Sequence, residues 1–285
     1  MQLRRRPSQP TQTNRAPRTS YYRGGALEGK TSPFEKKRES VHRHQRLAAF
    51  IDIVIILVVL FCLGYSLMVQ PTPRIMINSL AYHPTSVYQA AARQDLSGLR
   101  NRNKISFNEQ GVIESLQKQF PEISTASVEL PIFGQKPTLR LTIAPPAFVL
   151  NSNGSSYVIN TDGVAAIGAS KLSGSQKLLV VVDQSGFKTT VGSRVLSADN
   201  VSFITQIIAQ CKHTNVPISS MSLPALAGEL DLHTVDKPYY VKFYLDGNAM
   251  LETGQFLAAR HQFAASHQDP AQYLDVRVSG KIFYK

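Results

Sequence analysis

The segment Leu47 to Val69, LAAFIDIVIILVVLFCLGYSLMV, constrains the chain more than any other, because Asp52 is its only charge. Twenty-three residues in helix rise about 34 Å, enough for a hydrocarbon layer of about 30 Å. Lipid offers no partner for backbone N–H and C=O groups, so a lone span must satisfy them internally as a helix. A secretory signal is a poor description: its apolar region is shorter, lies near the start and is followed by small residues at a cleavage site. The run is therefore predicted to be a transmembrane helix over 47–69. Asp52 lies about a turn inside it, where a carboxylate reaches the headgroups or faces a partner helix.

The flanks give an orientation. Residues 1–46 carry twelve Lys/Arg against Glu28, Glu35 and Glu39, a net of +9 out of +12 for the chain. Lys36, Lys37, Arg38, Arg43 and Arg46 stand just before the run, whereas Arg74 alone follows it before Arg93. That asymmetry predicts residues 1–46 in the cytoplasm and 70–285 on the far side. The first 46 residues are rich in Arg, Ser, Thr, Pro and Gln and too poor in apolar groups to offset ordering entropy, which predicts a disordered tail. Its basic residues are expected to lie on anionic headgroups. The pI of 9.8 invites nucleic-acid binding, but the excess charge sits beside the span, so that class is set aside. Cys62 lies in the apolar run and Cys211 far beyond it, leaving the exported part to hold together by an ordinary core.

Beyond the run, residues 70–146 read as one small module. Arg74–Asn78 is a strand candidate, Val87–Ala92 a helix with Thr85 or Ser86 as its cap, and Gly98–Lys104 a polar loop. Val112, Ile113, Leu116 and Phe120 recur at helical spacing after Ser106 or Asn108, and Pro121 ends that helix. Ile123–Leu130 and Thr138–Ile143 read as strands, the second alternating Leu139, Leu141 and Ile143 with Arg140 and Thr142. Strand, helix, helix, strand, strand is the order of a compact α+β unit.

Pro145-Pro146 marks a boundary, and residues 147–285 read as a mixed, mostly antiparallel β domain with flanking helices. Strands are predicted at Ala147–Asn151, Ser156–Asn160 and Val164–Ile167, joined by turns at Asn153-Gly154 and Asp162-Gly163. A buried strand is predicted within Gln176–Asp183. Ser197-Ala198-Asp199 caps a helix bearing Val201, Ile204, Ile207 and Ile208. Strand candidates follow at Ile218–Leu223, Glu229–His233, Tyr239–Leu245 and Asn248–Leu251, then a helix over Gln255–Ser266, then strands at Tyr273–Val278 and Lys281–Tyr284.

Four groups of residues carry a family resemblance. Leu116-x-x-x-Phe120-Pro121-x-Ile123-x-x-Ala126-x-Val128 resembles a POTRA domain, where a helix ends at proline and a strand follows. Tyr157-Val158-Ile159-Asn160-x-Asp162-Gly163-Val164, Gly254-x-x-Leu257-x-x-Arg260 and Tyr273-Leu274-Asp275-Val276-Arg277-Val278-x-Gly280-Lys281 are similar to segments of the β domain of the FtsQ/DivIB family of bacterial cell-division proteins. The order of tail, span, POTRA-like unit and β domain matches that family over nearly the whole chain. The chain departs from it at Ile143-Ala144-Pro145-Pro146, where the family often has an acidic-basic pair, at Asn160, where Asp is common, and in lacking a family segment between Val164 and Leu178. The resemblance implies a divergent, non-catalytic bitopic scaffold at the division septum. Its partners would be FtsB/DivIC-like and FtsL-like bitopic proteins and the septal peptidoglycan synthase complex. Contacts carry over onto Tyr273, Arg277, Val278, Lys281 and Phe283.

The residues themselves offer no catalytic set. Cys211-Lys212-His213 are adjacent on a helix end and do not face one another. His233, His261 and His267 lack ligand spacing, and no phosphate loop or nucleophile elbow is present, so neither enzyme activity nor a cofactor or metal is expected. A last strand at a sheet edge, by contrast, offers unpaired backbone groups to a partner strand. Two other readings stand beside this one: an exported, membrane-anchored cell-wall enzyme, and a POTRA-type translocation or assembly component.

Overall fold

The computed structural model describes residues 33–226 and 228–285, with side chains from Gln45 onward. The expectation of disorder over residues 1–32 lies outside the described residues. Residues 33–46, read as part of a disordered tail, are instead the first turns of helix α1 (Pro33–Ser66). Its stretch Gln45–Ser66 is long and apolar enough to cross a membrane, and none of it is buried by the protein. The helix stops three residues short of Val69. Met68 forms an antiparallel bridge with Asn103, and Val69 N–H donates to Arg102 O at 2.8 Å, so these residues belong to the globular part.

Residues 61–285 make one compact unit, a mixed α+β arrangement. Strand β1 (Arg74–Ile77) leads to α2 (Thr85–Leu96), where Tyr88, Ala91, Ala92 and Leu96 line one buried face. The cap position falls on Pro84, without a side-chain bond, rather than on Thr85 or Ser86. Proline serves there because its fixed φ of −70° suits the entry and it has no N–H to leave orphaned. The loop predicted at 98–104 contains a tight turn of 3₁₀ helix, Leu99–Arg102. Helix α3 (Glu109–Gln119) opens with Asn108 accepting from Gly111 N–H and buries Val112 and Leu116. Strands β2 (Ile123–Glu129) and β3 (Thr138–Ile143) follow, with Leu139, Leu141 and Ile143 buried and Arg140 exposed. The three strands form a sheet in the order β1-β3-β2, β1 parallel and β2 antiparallel to β3.

The second sheet begins with β4 (Pro146–Ser152), β5 (Ser155–Asn160) and β6 (Ala165–Gly168). Asn153 and Gly154 both take positive φ, 49° and 77°, the requirement of the two-residue turn joining β4 to β5. Gly163 turns the chain toward β6 at φ 79°, and a Cβ there would lie 2.0 Å from Leu196 O, so only glycine fits. Next come β7 (Val180–Asp183), α4 (Ala198–His213, capped by Ser197), β8 (Ile218–Leu223), β9 (Glu229–Thr234) and β10 (Tyr240–Tyr244). The segment read as one buried strand over 176–183 is shorter, and only Val181 in it is fully enclosed while Val180 is exposed.

The strand predicted at Asn248–Leu251 is the start of helix α5 (Ala249–Ser266). Asn248 accepts from Leu251 N–H as its cap, and a local cap outweighs the strand-like look of four residues. Gly254 accordingly lies inside the helix and not where a strand turns into it. Strands β11 (Tyr273–Asp275) and β12 (Phe283–Tyr284) close the chain and are shorter than predicted.

The nine strands run β12-β11-β10-β9-β8-β7-β4-β5-β6, with parallel pairs at β10/β11, β7/β8 and β4/β7 and the rest antiparallel. One face carries Leu150, Val181, Met221, Leu232, Val241 and Leu274 in register, packed with Ile204 and Ile207 of α4 and Phe256 of α5. On the other face Val149, Val158 and Ile167 lie in register and belong to the core of the three-stranded unit, with Tyr88, Leu116 and Leu141. The small unit thus covers the β4–β5–β6 end of that face.

Candidate partner-binding edge and open sheet face

With one end of the second face covered, the strands from β7 to β12 carry the remainder, and β9, β10 and β11 hold its charged and aromatic part. Strict alternation puts Glu229, Asp231 and His233 on it from β9, Tyr240 and Lys242 from β10, and Tyr273 and Asp275 from β11. The apolar residues between them, Leu230, Leu232, Val241 and Leu274, point into the core. This alternation, Glu-Leu-Asp-Leu-His and Tyr-Val-Lys-Phe-Tyr, is the sequence signal that marks an open face. Glu229, Asp231, His233, Tyr240 and Lys242 nevertheless escape a reading confined to the last strands.

The charges form a network. Glu229, buried, takes Lys242 Nζ on Oε1 at 2.9 Å and Arg277 Nη1 on Oε2 at 2.5 Å. Arg277 also grips Asp275, Nη2 to Oδ2 at 2.7 Å and Nε to Oδ1 at 2.9 Å. That bidentate pair is the strong arrangement for guanidinium and carboxylate. Burial works to raise the Asp275 pKa, but the Arg277 bonds prevail and hold it below the ordinary carboxylate value. Arg277 is correspondingly raised, first by its bonds to Asp275. Asp231 goes the other way: burial, then repulsion from Glu229, pushes it up to about 6, against the pull of Lys242 and Arg277. Its Oδ1 is enclosed with no partner among the described residues.

Beside the charges runs an aromatic row. His233 stacks on Tyr240 with centroids 5.3 Å apart, and Tyr240 meets Tyr273 at 6.1 Å. Lys242 Nζ lies 5.5 Å and 5.4 Å from the Tyr240 and Tyr273 ring centroids, within cation–π range of both.

The edge is β12. Lys285 exchanges both backbone bonds with Tyr273, so the alternation of an antiparallel ladder turns the N–H and C=O of Tyr284 outward. The Tyr284 ring packs on Phe263 of α5 at 5.1 Å, whereas Phe283, in register with Asp275 on the open face, is exposed. Besides the Arg277 bonds, the connection from β11 to β12 is held by a side chain of α5. Gln255 of α5 donates to the carbonyls of Val276, Val278 and Lys281 and accepts from Gly280 N–H at 2.8 Å.

Of the residues carried over from the resemblance, Tyr273 and Arg277 stand in the aromatic row and the ion network, and Phe283 sits on the edge strand. Val278 and Lys281 are exposed in the β11–β12 connection, where Lys281 N–H closes a turn on Val278 O. Arg46 is exposed, and the side chains of Lys36, Lys37, Arg38 and Arg43 lie outside the described residues. Cys211 is fully enclosed, and burial pushes its thiol up to about 11, against a slight lowering by Arg260. It is a thiol at neutral pH, the wrong state for a nucleophile. Among the described residues no group of three His, Cys, Asp or Glu is placed to hold a metal ion. No protein-family model matches the chain, and no curated protein matches it.

Proposed function

We propose that the chain is a bitopic, non-catalytic scaffold of the bacterial division machinery, as its resemblance to the FtsQ/DivIB family implies. In this reading α1 crosses the plasma membrane with the basic N-terminal segment in the cytoplasm. Residues 70–146 act as a POTRA-like unit, and the nine-stranded sheet takes the partners. One observation supports it above the others: β12 is an edge strand whose free backbone groups at Tyr284 adjoin the exposed Phe283 and the open face of Tyr273 and Arg277. A partner strand laid along β12 gains main-chain bonds from the edge and side-chain contacts from that face. An FtsB/DivIC-like protein would supply the strand, and an FtsL-like protein would join it. Contacts to the septal peptidoglycan synthase would follow from that assembly.

The charges suggest how such a partner is selected. Arg277 and Lys242 are set against Glu229, Asp275 and Asp231, so the face carries little net charge and exerts little long-range steering. Discrimination falls to bonds made at contact and to Phe283 and Tyr273, residue types that serve well as interface anchors.

The test is co-purification of the full chain from its own cells in mild detergent, with the co-purifying small coiled-coil membrane proteins identified. Phe283→Ala and Arg277→Glu are each expected to lower their recovery roughly tenfold, the loss of one anchor. Undiminished recovery with both variants would remove the edge as the interface. Uniform envelope labelling by a fluorescent fusion, instead of a midcell band, would remove the division role.

A further inference from the structure

The four most exposed large apolar side chains among the described residues are Phe133 (90%), Leu99 (87%), Ile132 (83%) and Ile105 (79%). They are not scattered. All four lie in two loops, 97–107 and 130–137, and both loops are hydrogen-bonded to the place where the chain leaves α1. Lys104 N–H donates to Leu67 O at 2.9 Å and Val69 N–H to Arg102 O at 2.8 Å, fastening the first loop. Gln135 Nε2 donates to Tyr65 O at 2.9 Å and Gln70 N–H to Gln135 O at 2.7 Å, fastening the second. Lys104 then ties the loops together, its Nζ reaching Ile132 O at 3.2 Å and Gly134 O at 2.8 Å.

Single exposed apolar residues on a protein surface need no explanation, but a cluster does. The charges around this cluster have one sign. Arg74, Arg100, Arg102, Lys104 and Lys136 lie in the segments 67–74, 97–107 and 130–137, which contain no Asp or Glu. None of the five makes an ion pair among the described residues. Fully exposed Leu, Ile and Phe interleaved with unpaired basic residues is the composition that binds at a lipid interface.

Distance selects the same occupant. If α1 crosses a bilayer, its last turn lies at the boundary of hydrocarbon and headgroups, a layer about 5–8 Å deep on each side. Loops bonded directly to residues 65–70 are within reach of that layer. We propose that these two loops rest in the headgroup layer of the bilayer that α1 crosses, with Leu99, Ile105, Ile132 and Phe133 entering the acyl boundary and the basic residues meeting lipid phosphates. The proposal rests on α1 being a span, and it stands whether or not the division reading does.

The chain contains no tryptophan, so a single introduced one reports its own surroundings. The full chain is reconstituted in nanodiscs of phosphatidylcholine and phosphatidylglycerol, with and without lipids brominated near the top of the acyl chain. Phe133→Trp and Ile105→Trp are each expected to emit to the blue of a water-exposed indole and to lose roughly half their intensity to the brominated lipid, as an interfacially buried ring does. Phe187→Trp, at a residue also highly exposed but in a loop with no tie to the helix exit, is expected to be unaffected. Phe61→Trp, inside the apolar stretch, reports the span. Unquenched emission from both Phe133→Trp and Ile105→Trp with Phe61→Trp quenched would overturn the loop docking and leave the span. Unquenched Phe61→Trp would overturn the span and the docking together. Equal quenching of Phe187→Trp would overturn the docking as a property of these loops.

Discussion

Asp231 faces Lys242 across the β9–β10 pair and is flanked by Glu229, Asp275 and Arg277 on the same face. Its pKa of about 6 in the folded protein exceeds that of an unfolded aspartate, about 3.9. The folded state therefore binds the proton more tightly, and Asp231 stabilises most below pH 4. That contribution is lost as the pH rises from about 4 to about 6. Asp231→Asn keeps the shape and removes the charge. It is expected to raise stability at pH 8 by about 1–2 kcal/mol after allowance for partial exposure. The gain should fade toward pH 4, read from thermal melts of the detergent-solubilised chain at both values. A gain independent of pH would mean the carboxylate is not the source. The family resemblance marked Arg277 and Tyr273 but not Asp231, because Lys242, Asp275 and Arg277 reach it from other parts of the chain, and pairing across strands is not written in local spacing.

At the scale of elements, the periodic segments and the short strands bounded by turns, such as β5 and β8, were legible, and the errors fell where neither signal was present. Helices α3 and α4 follow from apolar residues three and four apart and from Asn108 and Ser197 as caps, and β3 follows from its alternation. Asn248–Leu251 misled because four mostly apolar residues fit a strand as well as a first helical turn. The deciding bond, from Leu251 N–H to the Asn248 side chain, appears only in three dimensions. Asn248→Ala is expected to cost about 1 kcal/mol, a fall of about 2–4 °C in Tm for a unit of this size, with Asn248→Asp retaining most of the stability. An unchanged Tm would show that α5 is held by its packing alone. The end of α1 is similar: composition carries the apolar run to Val69, but Leu67 O accepts from Lys104 N–H and Val69 N–H donates to Arg102 O, tying residues past the helix end to the globular part.

Across the whole of residues 61–285 there are two cores, and the two sheets share one of them. Val149 and Val158 belong to strands of the large sheet yet are buried against Tyr88, Leu116 and Leu141 of the small unit. Past the Pro145-Pro146 boundary, β4 therefore joins a new sheet while Val149 stays in the core of the small unit, and a linear reading that places modules end to end does not reveal it. Val158→Ala is expected to cost about 1–3 kcal/mol and to speed amide exchange in β1–β3 as much as in β4 and β5. Acceleration confined to β4 and β5 would mean that the sheets unfold separately. The amide of Gln255 has a mechanical consequence. A two-residue strand pulled sideways would ordinarily unzip from its neighbour one bond at a time, under small force. Here the strand's approach is pinned to α5 at four backbone positions, so a load applied at β12 enters the helix and is borne in shear by the packed interior behind it.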